Sequence, residues 1–263
     1  MKKQALLAAV AMLWATPLHA AHPLITDDTG TQGKGRFQLE LNTEFSNEKE
    51  NEDGVSIKES DGEAAATLSY GLSDTIDLVA GLPWQWSTVK EDGTIVTDDN
   101  SVGDLGIELK WRFLENKEQG FSLAIKPGLS LPTGNEKKGF GNGRISESVM
   151  MIATQEWQHG AFHGNVGFTH NAYSEEEDNA TLKKDIWHAS VATELKMTEK
   201  LRAVFDIGID SNSDKTPDTN PAYLLGGLIC SVSENFDLDI GVKKGLNHAD
   251  KTKTVLAGLT ARF

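Results

Sequence analysis

The chain ends with TVLAGLTARF, residues Thr254–Phe263. Apolar side chains occupy every second position of this stretch, from Val255 to Phe263. A period of two predicts a β-strand with one apolar face and one small or polar face. Ten residues are also enough for a tilted strand to cross a bilayer. The stretch therefore predicts a strand whose apolar face meets a hydrophobic environment along its whole length.

The same period recurs along the chain. It is clearest in Phe37–Phe45, Ile76–Trp86, Leu105–Phe113 and Phe121–Leu131, where large apolar residues alternate with charged or small ones. In 146–157 and 222–232 the face is ambiguous, because apolar residues occur at consecutive positions. Counted together with the last stretch, the segments predict twelve strands.

The links between the predicted strands alternate strictly between short and long. The short links are Gly71–Asp74, Leu114–Gly120, Gln158–Gly160, Thr198–Lys200 and Ser233–Asn235. The long, polar links are Asn47–Gly62, Ser87–Val102, Pro132–Gly143, Ser174–Lys184, Asp210–Pro221 and Lys243–Lys253. Outer-membrane barrels have short periplasmic turns and long outer loops, whereas nothing imposes this alternation of link lengths on a soluble sandwich. The sequence predicts an all-β, twelve-stranded antiparallel up-and-down transmembrane β-barrel in a bacterial outer membrane.

Residues 1–20 have the features of a signal peptide. A basic start precedes the apolar stretch Ala5–Ala15, and Ala20 offers a small residue for cleavage. We therefore expect an exported protein with an N-terminal periplasmic or lumen segment at 21–35 and a barrel at 36–263. Closure of that barrel joins the last strand to the first, and we expect Phe263 to be the signal that the outer-membrane assembly machinery recognises.

The composition excludes several classes of function. The formal net charge of -14 at pH 7 disfavours nucleic acid as a partner. The single cysteine excludes an intrachain disulfide and a cysteine-based metal cluster. We expect no cofactor and no metal site, because the adjacent carboxylates Asp27 and Asp28 lack further ligands at suitable spacing.

Charged residues fall on the face of the predicted strands opposite the apolar one. Because a Lys or Arg facing mid-bilayer lipid costs roughly 2 to 4 kcal/mol, these residues are predicted to line the lumen: Glu40, Asp77, Glu108, Lys110, Arg112, Lys126, Glu194, Arg202, Asp206 and Asp239. They could line a water-filled path, or they could pair across a narrow lumen that conducts little. The pattern leaves both open.

The segment 21–35 contains turn-forming residues and no strand period. It could fold into the lumen as a gate or plug through Asp27, Asp28 and Thr31, with the two carboxylates meeting Arg112, Lys126 or Arg202. A mobile periplasmic tail is the alternative, and the sequence does not decide between the two.

Residues at the outer rim suggest partners in the membrane. Trp84, Trp86, Tyr173, Trp187 and Tyr223 are predicted to form an outer aromatic girdle. We expect outer-membrane lipid and lipopolysaccharide to be partners of the barrel. The acidic outer loops could reach lipopolysaccharide phosphates through divalent cations or bias the mouth toward cations, or they could simply be solvated.

The stretch AHPLITDDTGTQGKGRFQLELN, residues Ala21–Asn42, resembles the opening of a family of outer-membrane transporters named after meta-pathway phenol degradation. Family members often begin with a variant of HPL-x-T-DD-x-GTQG-x-G. The elements YGLSDTIDL at Tyr70–Leu78 and LSLPTGN at Leu129–Asn135 fit the same family in style. The resemblance implies a small barrel that passes small, hydrophobic or aromatic molecules, and it implies no catalytic residues.

We therefore expect a transporter or channel for passive uptake of small-molecule solutes, and not an enzyme. A closed structural or adhesive barrel is one alternative. An outer-membrane lipid hydrolase is another, because it needs a serine and a histidine within hydrogen-bond reach. The candidates are His163, His170, His188, Ser148 and Ser190, although no G-x-S-x-G motif supports them.

Overall fold

The computed structural model describes residues 22–52, 54–216, 219–250 and 252–263. The predicted signal peptide lies outside these residues. They form thirteen strands, β1 (Phe37–Glu52), β2 (Val55–Gly71), β3 (Ile76–Glu91), β4 (Thr94–Val102), β5 (Leu105–Asn116), β6 (Phe121–Leu131), β7 (Ser146–Trp157), β8 (Gly160–His170), β9 (Asp185–Lys196), β10 (Leu201–Asp210), β11 (Ala222–Ser233), β12 (Phe236–Gly245) and β13 (Lys253–Arg262). One short helix, α1 (Glu176–Thr181), and one 3₁₀ turn, Glu136–Lys138, lie in outer loops.

The strands form one closed antiparallel sheet. Each pairs with its neighbours along the chain, except that β4 and β5 both pair with β3, and β1 pairs with β13 from Gln38 opposite Arg262 to Asn47 opposite Lys253. Backbone hydrogen bonds between Phe37 and Phe263 complete this seam, at 2.8 and 3.0 Å. The predicted closing role of the last stretch is confirmed.

The barrel wall has twelve positions because β4 and β5 share one of them. Both strands pair with β3, β4 with its extracellular half and β5 with its periplasmic half. The break falls at Gly103 and Asp104, where the Gly103 N–H donates to the Pro83 carbonyl at 2.8 Å. The predicted twelve-stranded barrel is therefore confirmed, with one wall strand divided in two.

Two of the links predicted as long loops are strands instead. β1 runs to Glu52 and β2 starts at Val55, just after Gly54 with positive φ. β3 and β4 continue to a turn at Asp92 and Gly93, which also have positive φ. These hairpins extend beyond the bilayer, so water meets both of their faces. The apolar and polar alternation is lost there, while the cross-strand hydrogen bonds continue.

Lipid-facing and lumen-facing residues alternate along the wall strands, apart from register shifts such as the one between Arg112 and Leu114 on β5. Val166, Ile240 and Val242 on the outer face are more than half exposed. The buried residues of the inner face are largely polar, among them Asp77, Asp206 and Glu194. The outer rim differs from prediction in two residues, since Tyr173 and Tyr223 are buried, whereas Trp84 and Trp187 are exposed on the outer face. None of the described helices is long and apolar enough to cross a membrane.

Candidate functional site

Residues 22–35, here called the lumen segment, lie inside the barrel. The segment enters the lumen at the periplasmic rim, where the N–H of its last residue, Gly35, donates to the Gly71 carbonyl at 2.8 Å. Gly33 and Gly35 both have positive φ, at 83° and 80°, so the chain can turn sharply into the lumen. Gly71 lies so close to the Gly33 carbonyl that a Cβ on Gly71 would collide with it. The rim therefore fixes the direction in which the lumen segment leaves β1.

The first contacts inside the rim are made with β3, β6 and β7. The Gln32 N–H donates to the Asp77 carboxylate at 2.9 Å. The hydroxyl of Thr29 meets that of Ser122, and its N–H donates to the Thr154 hydroxyl at 3.1 Å. Since all of these are direct hydrogen bonds, the segment lies against the wall on this side.

A buried ion-pair cluster joins the lumen segment to β5 and β6. Asp27 receives Lys110 Nζ on one carboxylate oxygen and Lys126 Nζ on the other, each at 2.9 Å. Lys110 Nζ also lies 3.2 Å from Asp28, and Lys126 Nζ lies 3.2 Å from Glu108. Burial alone would raise the pKa of Asp27, but the two ammonium groups outweigh it and hold that pKa below its ordinary value. Asp27 is therefore ionised and bound by two strands at once.

Asp206 on β10 holds the middle of the lumen segment. Its carboxylate accepts the N–H groups of Ile25 and Thr26 and the hydroxyl of Thr26, each at 2.8 Å. Thr26 is almost completely buried, and its hydroxyl also lies 2.8 Å from that of Ser190. A carboxylate that accepts several hydrogen bonds compensates for its burial.

The first residues of the lumen segment meet an apolar part of the inner wall. Leu24 packs against Val204 and Ile229, and both Leu24 and Ile25 pack against a cluster of Tyr223, Leu225 and Leu256. At the end of the segment, His22 Nδ1 contacts the Asp239 carboxylate. The lumen segment thus spans from the β2–β3 rim across to β12, and it contacts a charged wall on one side and an apolar wall on the other.

Of the remaining predicted lumen residues, Arg202 and Glu194 pair with each other, and Arg112 contacts residues outside the predicted set. Arg202 contacts Glu194 at 3.2 Å and Asp237 at 2.9 Å, and Asp237 also receives Arg262. Arg112 donates to the Asp74 carbonyl at 3.1 Å and lies 3.8 Å from Glu115. Glu40 lies on β1 opposite Thr260, a buried residue of the inner face.

The segment's own contacts differ in part from the sequence expectation. Asp27 contacts Lys126, one of the three partners considered, and also Lys110, which the sequence placed on the wall without a partner. Thr31 donates its hydroxyl to the Asp74 carbonyl at 2.9 Å at the rim. Sequence reasoning missed the hydroxyl contacts of Ser122, Thr154 and Ser190. Strand alternation places Ser122 and Ser190 on the inner face, whereas the face of Thr154 was ambiguous in the sequence.

Of the residues considered for a hydrolase, His188 and Ser190 form a hydrogen-bonded chain together with Asp210. His188 Nδ1 lies 2.7 Å from Asp210, and His188 Nε2 lies 2.9 Å from the Ser190 hydroxyl. His163 instead contacts Thr154, and His170 contacts Asp185. Ser190 is nearly buried under Thr26 in the middle of a strand, where backbone N–H groups are committed to the sheet and cannot form an oxyanion hole. The hydrogen-bonded residues Asp210, His188 and Ser190 therefore hold Thr26 in place, and Ser190 lacks the surroundings of a catalytic nucleophile.

Comparison with known proteins adds a family and several similar folds. The sequence profile of a family described as "Putative MetA-pathway of phenol degradation" matches residues 23–263. No curated protein matches the chain in sequence.

Solved structures of similar fold include the COG4313 outer membrane channel from Pseudomonas putida F1, with a TM-score of 0.69 and 13% identity over 90% of this chain and 98% of that one. The KdgM porin in complex with disordered oligogalacturonate has a TM-score of 0.56 and 7% identity over 86% and 99%. The transport unit of the autotransporter AIDA-I from Escherichia coli has a TM-score of 0.53 and 11% identity over 91% and 94%. At such identities the likeness concerns the fold.

Proposed function

We propose, from the premise that the chain belongs to the MetA-pathway phenol-degradation family, that it is a channel of the bacterial outer membrane. In this proposal small molecules pass through its lumen passively, and the lumen segment is its gate. The solved barrel of similar fold from P. putida F1 is described as an outer membrane channel, which is consistent with this reading.

One observation carries the proposal. The lumen segment occupies the barrel interior through hydrogen bonds, ion pairs and side-chain packing. Within the described residues it is attached covalently only to β1, on the periplasmic rim. Non-covalent contacts can break without unfolding the wall, which is held by its own closed sheet of hydrogen bonds. A filled lumen of this kind can therefore open, whereas a lumen filled by wall side chains cannot.

The chemistry of the solute follows from what the lumen segment covers. Leu24 and Ile25 lie on the inward-facing apolar residues Val204, Leu225 and Leu256. If the segment leaves, that surface becomes available on one side of the lumen, with Lys110 and Lys126 on the other. A small solute with an apolar or aromatic body and a polar group fits such a pair of surfaces best. This agrees with the family to which the chain belongs.

The test is single-channel conductance of the refolded protein in planar bilayers. The form beginning at Ala21 is compared with a form beginning at Arg36, which lacks the lumen segment. We expect infrequent openings in the longer form and stable openings in the shorter one. Heat-modifiable gel mobility serves as the control that both barrels are folded.

The alternatives give different results. If both folded forms remain silent, the channel proposal is wrong and a closed structural barrel is favoured. If both conduct equally, the chain is a channel but the lumen segment is not its gate.

Adding an aromatic acid to the longer form tests the solute class, because a solute that competes with Leu24 and Ile25 should increase the time that the channel spends open.

A further inference from the structure

Three lysines form a row across neighbouring strands above the membrane. Lys49 on β1 is directly opposite Lys58 on β2, and Lys58 is directly opposite Lys90 on β3. Two more lysines, Lys244 on β12 and Lys253 on β13, are directly opposite each other. Because β13 borders β1, the five residues occupy five consecutive wall strands. We call this set the lysine face.

All five lysines project from the lipid-facing side of the wall. Side chains two or four residues apart on a strand share a face. Lys49 follows Phe45 by four residues, and Lys253 and Lys244 lie two residues from Val255 and Val242, which are about half exposed on the outer wall. Lys90 shares its face with Trp84 in the same way. The lysines therefore continue the lipid-facing surface outward, beyond its apolar part.

The register separates the two signs of charge between the two faces of the hairpins. The residue beside each lysine of the row is a glutamate, Glu48, Glu59 or Glu91, and it projects to the opposite face. On the inner face Glu48 is opposite Glu59, just as Lys49 is opposite Lys58 on the outer face. Like charges directly opposite each other destabilise a sheet. An anionic partner on the outer face would offset that cost.

The protein itself supplies little compensation. Among the described residues, none of the five lysines has an ion-pair partner. Asp98 on β4 is an outward-facing carboxylate in the neighbouring register; it is opposite Thr88, two residues below Lys90, and it accepts the Thr88 hydroxyl at 3.3 Å. Across the barrel, the outward-facing rim instead carries the exposed acids Glu147 and Asp185. Within the described strands, the outward-facing lysines above the membrane are thus collected on one side of the barrel.

The position of the lysine face matches a lipid with phosphate groups above its acyl chains. Phe45 and Trp86 pack together beneath the row, with ring centroids 5.5 Å apart, at the upper end of the apolar surface. Lys49 lies four residues farther out than Phe45, roughly 14 Å at about 3.4 Å per residue. Lysine binds phosphate as a compact point charge. The geometry points to the lysine face as a binding site for the phosphorylated headgroup of lipopolysaccharide in the outer leaflet.

This inference concerns the outer wall and goes beyond the proposed channel. It needs the barrel to lie in an outer membrane, but it does not depend on whether the lumen opens. It also differs from the divalent-cation bridge considered for the acidic loops, because a direct contact between an ammonium and a phosphate persists when divalent cations are removed.

The experiment compares two triple variants in detergent micelles. The test variant carries Lys49→Gln, Lys58→Gln and Lys90→Gln. The control carries Lys34→Gln, Lys117→Gln and Lys200→Gln, three exposed lysines outside the lysine face, on the lumen segment and on periplasmic turns. Both variants change the net charge equally. Binding of fluorescent rough lipopolysaccharide, which retains its phosphates, is measured with EDTA present, beside the same lipid after enzymatic dephosphorylation.

We expect the test variant to bind about tenfold or more weakly than the wild type, since each lysine near an anionic lipid surface contributes appreciably. The control should bind as the wild type does, and dephosphorylation should remove the difference. Excess inorganic phosphate should compete poorly, because it lacks the acyl chains. Equal binding by all three proteins would overturn the inference, as would a loss in the wild type caused by EDTA alone. Single-channel conductance of the test variant should be unchanged, which separates this outcome from failure of the proposed channel.

Discussion

At the scale of single residues, Asp27 joins the lumen segment to two wall strands at once. Its carboxylate bridges Lys110 and Lys126, which lie on adjacent wall strands. Hydrogen bonds to charged groups contribute about 1.5 to 3 kcal/mol each. We expect Asp27→Asn to weaken the closed state and to raise the ratio of open to closed time about tenfold or more. Single-channel recording measures this directly.

The matched control for Asp27→Asn is Glu115→Gln, which removes a partly exposed carboxylate from two loose ion pairs, with Lys117 at 3.9 Å and with Arg112 at 3.8 Å. Surface pairs of this kind contribute little, so gating should stay as in the wild type. If both variants gate alike, Asp27 does not hold the segment.

The pH dependence of the Asp27 contact follows from the sign of its pKa shift. A carboxyl group whose folded pKa is depressed stabilises the bound state at all pH values above its unfolded pKa, and this stabilisation is lost only as the pH falls through the folded value. The difference in gating between the wild type and Asp27→Asn should therefore be the same at pH 7 and at pH 5. A difference that disappears by pH 5 would contradict an ionised, doubly paired Asp27.

Several of these residues could be found from the sequence, but their partners could not. Strand alternation predicts that Lys110, Lys126 and Asp206 project inward. It does not say which of them Asp27 meets, because the lumen segment has no period and its path depends on the shape of the closed barrel. Leu24 and Ile25 were missed for a related reason. Their partners on β11 belong to a stretch that is apolar on both faces, one toward lipid and one toward the lumen segment.

At the scale of elements, the end of the lumen segment depends on glycines in β11 and β12. A Cβ on Gly241 would lie 2.7 Å from the Cβ of Pro23, with no other atom closer than 3.0 Å. We expect Gly241→Ala to displace Pro23, to loosen the first residues of the lumen segment and to increase channel opening while the wall stays folded. Gly226→Ala is the control, because its Cβ would meet only Phe205, at 3.7 Å. An equal increase in channel opening in both variants would mean that the added methyl groups act by stiffening the strands and not by displacing Pro23.

Asp104, at the break between β4 and β5, holds an outer loop in place. Its two carboxylate oxygens accept the N–H groups of Gly134 and Asn142, each at 2.9 Å, and so tie down both ends of the outer loop that contains Lys137 and Lys138. Asp104→Ala removes both bonds, at about 1.5 to 3 kcal/mol each. We expect trypsin to cut this loop several-fold faster in folded barrels. An unchanged cutting rate would show that the loop is held elsewhere.

In the outer hairpins, the sequence did not predict the strands that the structure contains. Within the bilayer, lipid on one side and the lumen on the other force an alternation that the sequence displays. Above the bilayer both faces are wet, so β1 to β4 continue as strands in a sequence that looks like polar loops. The same cause hid the lysine face, since its five lysines come together only through the register between five strands.

At the scale of the whole molecule, closure depends on the seam between β1 and β13. Phe263 exchanges two backbone hydrogen bonds with Phe37, and their rings stack at 6.1 Å. We predict that deletion of Phe263 lowers the amount of folded barrel in the outer membrane several-fold, both by weakening the seam and by removing the residue that we expect the assembly machinery to recognise. Heat-modifiable mobility of outer-membrane fractions measures it.

Phe263→Tyr keeps the backbone bonds and an aromatic ring, so it should assemble as the wild type does. Refolding of the deletion variant into detergent without assembly factors separates the two causes. Normal refolding with poor assembly in cells assigns the loss to recognition. Normal assembly in cells would contradict the prediction.

The architecture as a whole could be predicted from the sequence because the number of strands and the alternation of short and long links involve the whole chain. The filling of the lumen was not, since it depends on how fourteen residues without a repeat fold within a finished barrel.

The tether of the lumen segment to β1 has a consequence for competition. The segment is an intramolecular ligand, and a flexible chain of about thirteen residues keeps its free end within roughly 20 Å of its attachment. Its effective concentration at its own binding surface is therefore in the millimolar range. A dilute solute of ordinary affinity cannot hold the site against it, so each opening is brief and rebinding of the segment follows. Throughput is then set by the segment's own dissociation rate until the external solute reaches comparable concentrations.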